Sequence, residues 1–306
     1  MNYKETIAAR TKETEQLVKE FLPKEEGFQK TVIEAMNYSF LAGGKRLRPL
    51  IMHESYKAFG GDSQIIKPFM AALEMIHNYS LVHDDLPEMD NDELRRGMPT
   101  THIKYGPGMA VLAGDGLLNY AFETATKAFD LCETIDDYKR VSRALRVLAQ
   151  KAGIYGMIGG QTLDVEAADK GLELSEKAIL FIDENKTAAL LQAAFMIGAI
   201  LAGADDEVID QLEKIGYNVG VAFQLQDDIL DITSTTEVLG KPVGSDVEAG
   251  KVTHISVLGF DETVNRQKLL SKEASEAITD LSLVAKDRDA LDFLAYLTAS
   301  LADRTM

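Results

Sequence analysis

One cysteine, Cys132, occurs in 306 residues, so no internal disulfide can form. A lone thiol fits a reducing compartment, and a cytoplasmic location is expected. Cys132 sits in the apolar-periodic stretch FDLCETI and reads as core rather than nucleophile. Positive charge is scarce as well: 32 Lys and Arg against 49 Asp and Glu give a net charge of −17. Such a surface repels nucleic acid and anionic lipid heads, so neither is expected as a partner. There is no GxxxxGK[ST] stretch, and Gly106-Pro107-Gly108 does not continue into GxGxxG, which argues against the common nucleotide sites. No Pro/Gly/Ser-rich linker, low-complexity block or repeat divides the chain, so a single domain over 1–306 is expected. The N-terminal stretch MNYKETIAARTKETEQLVKE has no apolar signal core, and its glutamates speak against a transit peptide. The 17-residue uncharged run Ala188–Ala204 falls short of the ~20 residues of a membrane span and contains Gln192. It reads as a buried central helix, and no transmembrane segment is expected.

What is present is helical periodicity. Helices are predicted over about 3–21, 28–42, 46–60, 64–85, 109–131, 135–153, 175–203, 206–231, 262–281 and 286–302. Pro23, Pro87, Pro99, Pro107 and Pro242 fall in the predicted connections. Strand-like alternation is nearly absent, so an all-α, large helical bundle with a central cavity is expected. Two connections, about 87–108 and 232–260, are long and irregular, and each follows a cluster of aspartates.

The first cluster is Asp84-Asp85-Leu86-Pro87-Glu88-Met89-Asp90, delivered at the C-terminal end of an apolar helix. The helix dipole and mutual repulsion both disfavour carboxylates there, so a cation is the natural compensation. The second is Asp227-Asp228-Ile229-Leu230-Asp231, in which Asp227 and Asp231 share a helix face. Magnesium suits both, because it takes carboxylate oxygens and keeps waters and phosphate oxygens as its other ligands. Calcium fails as the alternative: in the run starting at Asp90, Leu94 occupies the fifth position, where an oxygen is required.

Cationic groups stand out against the acidic background. Lys45 and Arg48 lie in GGKRLRP at a helix start, where phosphate binds well. Arg95 and Arg96 follow the first aspartate cluster directly, and adjacent side chains point to different sides, as a clamp on two anions requires. Lys186-Thr187, Lys241 and Lys251 complete the set. Magnesium between aspartates, with an apolar helical cavity beneath, suggests an apolar diphosphate ester. His77 lies seven residues before Asp84, on the same helix face.

Together GGKRLRP, HNYSLVHDDLPEMDNDELRRG, GDGLL, GGQTLD, NKTAAL, FQLQDDILD and LGKPVGSD resemble the polyprenyl synthase family, and within it the bacterial farnesyl diphosphate synthases. The motifs cover roughly residues 35–255 in the family's order. The resemblance implies the isoprenoid synthase fold, a homodimer, and condensation of an allylic diphosphate with isopentenyl diphosphate to farnesyl diphosphate. Geranylgeranyl or another chain length is the alternative. It assigns Asp84, Asp85, Asp90, Asp227 and Asp231, with Asp228 beside them, to three magnesium ions on the allylic diphosphate. Arg95, Lys186, Lys241 and Lys251 would touch that diphosphate. Lys45, Arg48, His77 and Arg96 would form the isopentenyl diphosphate pocket, and Thr187 and Gln224 would face the reacting carbons. Tyr79 and Ser80, just before the first aspartates, would limit chain length. His53, His83, His102 and His254 receive no catalytic role. The chain departs from the pattern in having Asn185 before Lys186 and Ala188 in place of a glycine.

The rival readings fit less well. A terpene cyclase has no use for Lys45, Arg48 and Arg96. A non-catalytic partner subunit would be expected to lose one aspartate cluster, and a purely structural helical protein needs no opposed acidic and basic clusters.

Overall fold

A computed structural model describes residues 3–233 and 252–302. Among them only two short strands interrupt an all-helical architecture. The chain clusters into two compact units, Met1–His53 with Asp62–Leu145, and Glu54–Gly61 with Arg146–Met306.

The first unit contains α1 (Tyr3–Lys19), α2 (Lys30–Leu41), the start of α3 (Leu47–Ala58), α4 (Ile66–Asp84), α5 (Thr101–Tyr105), α6 (Pro107–Thr126) and most of α7 (Ile135–Ala152). Of the 19 residues in α4, 13 are buried, which makes it the unit's core helix rather than a surface amphipath. It packs most extensively against α6, and α2 flanks both. The connection expected to be irregular is partly ordered. It holds a hairpin of β1 (Leu94–Arg95) and β2 (Met98–Pro99), antiparallel with Arg95 opposite Met98. Its two-residue turn is Arg96-Gly97, both at positive φ (54° and 77°), as tight hairpin turns require. Pro107 is the first residue of α6 rather than part of a connection, a position where its missing N–H costs nothing.

The second unit contains α8 (Met157–Lys170), α9 (Glu176–Ile182), a π-helical stretch (Asp183–Ala188), α10 (Ala189–Ala202), α11 (Asp206–Thr233), α12 (His254–Leu258), α13 (Phe260–Asp280) and α14 (Arg288–Ala302). Helices α8 and α12 were not expected from periodicity. Thirteen of the 14 residues of α10 are buried, and the helix packs along α11. The continuous helix Glu176–Ala202 is long and apolar enough to cross a membrane, yet 83% of its apolar window is buried inside the protein. That is the core helix the sequence suggested.

Candidate active site

Helix α4 ends on Asp84, and Asp85 caps it with its N–H on the Leu81 carbonyl (3.1 Å). The loop then doubles back, and the Asp90 N–H donates to the Asp84 carbonyl at 2.9 Å. Asp84 is half-buried, Asp85 buried and Asp90 exposed. Arg95 grips Asp85 from the hairpin, Nε donating at 2.7 Å and Nη2 lying at 2.5 Å, with Asp92 3.6 Å away. Burial pushes the Asp85 carboxyl up despite this contact. Burial works to lower the Arg95 guanidinium, but Asp85, Asp92 and Asp84 together outweigh it and the net shift is upward.

Among the described residues no three His, Cys, Asp or Glu side chains form a ready cage for a metal. The aspartate clusters still fit magnesium, because they offer only hard carboxylate oxygens, and this ion takes few protein ligands and completes its shell with water and phosphate.

On the other side of the hairpin turn, Lys45, Arg48, His77 and Arg96 line one open cleft of about 570 Å³ in the first unit. The four residues predicted for one anion pocket are therefore brought together. Glu74, the one acid among the lining residues, is already paired with Arg46. The Arg48 guanidinium is pushed down by burial, and its Nε has no hydrogen-bond partner. His77 is pushed well below its usual value, first by burial and then by Arg48 and Arg96. It is therefore a neutral imidazole that offers an N–H without adding charge.

Arg46 is the residue that sequence reasoning passed over. Flanked by Lys45 and Leu47, it looks like one more surface cation. It is instead 2% exposed, with Nη1 on Glu74 (2.6 Å) and Nη2 on the Phe40 carbonyl (2.6 Å). Its positive φ of 49° turns it inward. The ion pair forms the wall behind the cleft.

In the second unit, α11 carries Asp227, half-buried, and Asp228 and Asp231, both buried. The Gln224 amide donates to Asp228 (3.4 Å), and the Thr187 hydroxyl donates to Gln224 (3.3 Å). Thr187, Gln224 and Asp228 thus form one polar chain. Lys186 pairs with Asp164 of the GGQTLD motif at 2.5 Å. Gly160 of the same motif has to be a glycine, since a Cβ there would overlap the Lys186 backbone nitrogen. The π-helical stretch Asp183–Ala188 holds Lys186 and Thr187 and coincides with the departures at Asn185 and Ala188. Such stretches frequently mark functional sites.

His254, given no catalytic role on the sequence, is a buried structural partner of this site. Its Nε2 lies 2.5 Å from Asp183, and its backbone N–H donates to Asp228 at 2.9 Å. Burial raises both carboxyls against these contacts, Asp228 to about 6. The contact does not make His254 catalytic; it anchors α12 to the second aspartate cluster. Lys241 and Lys251 lie outside the described residues.

Residues 29–286 match the family model described as "Polyprenyl synthetase". The chain belongs to this family. Its members are magnesium-dependent prenyltransferases that use isopentenyl and allylic diphosphates. The chain is 43% identical to a farnesyl diphosphate synthase of Geobacillus stearothermophilus over 267 residues, 87% of each chain. It is 45% identical to a chloroplastic geranylgeranyl pyrophosphate synthase of Catharanthus roseus over 253 residues, 81% of this chain and 68% of that one. A Helicobacter pylori geranyltransferase, solved with magnesium and isoprenyl diphosphate, superposes with a TM-score of 0.81 at 30% identity, covering 99% of this chain and 97% of that one. The all-α isoprenoid synthase fold follows, and the family model runs through residues of both compact units.

The prenyltransferase also carries the residues expected to limit product length. Tyr79 is buried, and its hydroxyl is pushed up to about 12, by burial first and then by Asp84. Its ring meets His83 edge-on, with centroids 5.8 Å apart. Ser80 donates to the His77 carbonyl at 2.9 Å.

Proposed function

We propose that the chain is a farnesyl diphosphate synthase, extending dimethylallyl and geranyl diphosphates with isopentenyl diphosphate. The observation that carries the two-substrate part of the reading is the cleft shared by Lys45, Arg48, His77 and Arg96, in the same unit as a first aspartate cluster with its own arginine. A second diphosphate needs such a site, whereas an enzyme that only ionises one substrate does not.

In this reading the cleft residues hold isopentenyl diphosphate by charge, with His77 as a neutral donor. Asp84, Asp85, Asp90, Asp227 and Asp231 would hold magnesium, three ions in all, and the metal would supply Lewis-acid stabilisation of the leaving diphosphate. Arg95 and Lys186 receive charge as the allylic C–O bond breaks, each held beforehand by a carboxylate, Asp85 and Asp164. Thr187 and Gln224 turn oxygen atoms toward the allylic cation. The isopentenyl double bond attacks that cation, and the proton lost in forming the new double bond passes to the departed diphosphate. No protein nucleophile is required. Cys132 is unsuited to be one, since its thiol bonds to the Ala128 carbonyl and burial raises its pKa.

The chain is further proposed to act as one catalytic domain and as a homodimer, for which light scattering is the test. The fifteen-carbon product is supported by the buried aromatic at Tyr79, one turn and a residue before Asp84. A geranylgeranyl product is supported by the similar identity of the Catharanthus relative. Incubation with isopentenyl and labelled allylic diphosphates, followed by chromatography of the dephosphorylated products, separates the two. A main product longer than fifteen carbons would overturn the farnesyl reading.

A further inference from the structure

His83 lies on α4 four residues after Tyr79 and one before Asp84, so its ring shares the Tyr79 face of the helix. The two rings meet edge-on at 5.8 Å with an interplanar angle of 81°. This is a favoured aromatic geometry. On its other side the imidazole reaches α6, with Nε2 3.1 Å from the Val111 carbonyl and 3.8 Å from an Asp115 carboxylate oxygen. A carbonyl only accepts, so Nε2 carries the hydrogen.

This approach is possible because residue 114 is glycine; a Cβ there would overlap the imidazole. Gly114 and Asp115 open the GDGLL motif, for which the reaction itself gives no use. Tyr79, for its part, needs a support. An ideal helix puts it about 140° around from Asp84, so its ring blocks a tail growing from that end only if held to one side. His83, about 100° around on the same side, is placed to hold it.

We propose that His83 is a positioning residue that sets product length through Tyr79, braced on α6 at the Val111 carbonyl through the gap that Gly114 leaves. The inference rests on the reading of Tyr79 as the floor of the product pocket. Chain length is then set by the packing of α4 on α6 as well as by the size of residue 79.

The test is the ratio of twenty- to fifteen-carbon products, which can be read at any residual turnover. Tyr79→Ala, His83→Ala and His83→Gln are compared with wild type in the full-length enzyme. His83→Ala should raise the ratio about fivefold, the scale of a lost aromatic edge contact. His83→Gln keeps a donor for the Val111 carbonyl but presents no ring, and should give a smaller rise. It carries the test if His83→Ala does not fold. Wild-type ratios in the His83 variants beside a shifted Tyr79→Ala would overturn the brace and leave the floor standing. A shift in the His83 variants without one in Tyr79→Ala would overturn the route through Tyr79. No shift in any variant would overturn the floor and the brace together.

Discussion

Arg95 and Arg96 are neighbours in sequence, yet removing each should produce a different defect. Arg96 faces the cleft of Lys45, Arg48 and His77, while Arg95 lies against Asp85 and Asp92. A charge-assisted contact to a phosphate contributes about 1.5–3 kcal/mol. Arg96 is exposed, so solvent screening favours the lower end. Arg96→Ala should therefore raise the apparent KM for isopentenyl diphosphate about tenfold and leave that for the allylic substrate near wild type. Arg95→Ala should do the reverse and carry a second cost. It strips the counter-ion from Asp85, which is 3% exposed, and orphaning a buried carboxylate costs about 3 kcal/mol or more. The assay is initial rates with one diphosphate varied and the other saturating, alongside thermal melts. Equal KM effects in the two variants, or equal losses of melting temperature, would refute the split clamp.

Exhaustive chelation should abolish turnover, and Asp84→Ala and Asp227→Ala should each do the same while leaving the metal-free fold intact or more stable; full activity after chelation would remove magnesium from the reading. Asp228 has a folded pKa of about 6, above its unfolded value, so the native state holds its proton more tightly and stability is lost as pH rises through that window. In chelated protein Asp228→Asn should match wild type at about pH 4 and exceed it by up to about 3 kcal/mol above pH 6, a difference that denaturant titration at several pH values measures. Arg46→Ala should destabilise by about 3–5 kcal/mol, because it leaves Glu74 buried and unpaired; a loss below 1 kcal/mol in the same titration would show that the pair is not structural.

The fold class was legible because helical periodicity is local pattern, whereas the grouping of Lys45, Arg48, His77 and Arg96 came from the resemblance to the family and not from spacing. The buried stripe of α4, the paired aspartates and the arginines after them are all set by spacing. What the sequence hid depends on distant partners. Arg46 differs from Lys45 only because its backbone turns it toward Glu74, 28 residues away. His254 finds Asp183 across 71 positions. Helix α8 carries Gly159 and Gly160, which are poor helix formers, and the reason for Gly160 is again distant: it makes room for the Lys186 backbone. The hairpin at 94–99 has strands of two residues each, too short for any alternation to register.

The π-helical stretch at Asp183–Ala188 makes the number of residues there matter as well as their identity. Each residue added to or removed from a helix rotates everything beyond it by about 100°. The wide turn takes up a residue that a regular α-helix would pass on as a change of phase. Lys186 can thereby face Asp164 while α10 keeps its 13 buried residues against their neighbours. Deleting one residue here would leave a perfectly acceptable helix with one of those two faces turned away. A single-residue deletion between 183 and 188 should therefore be more damaging than replacing the side chain of Asn185, which is only half-buried.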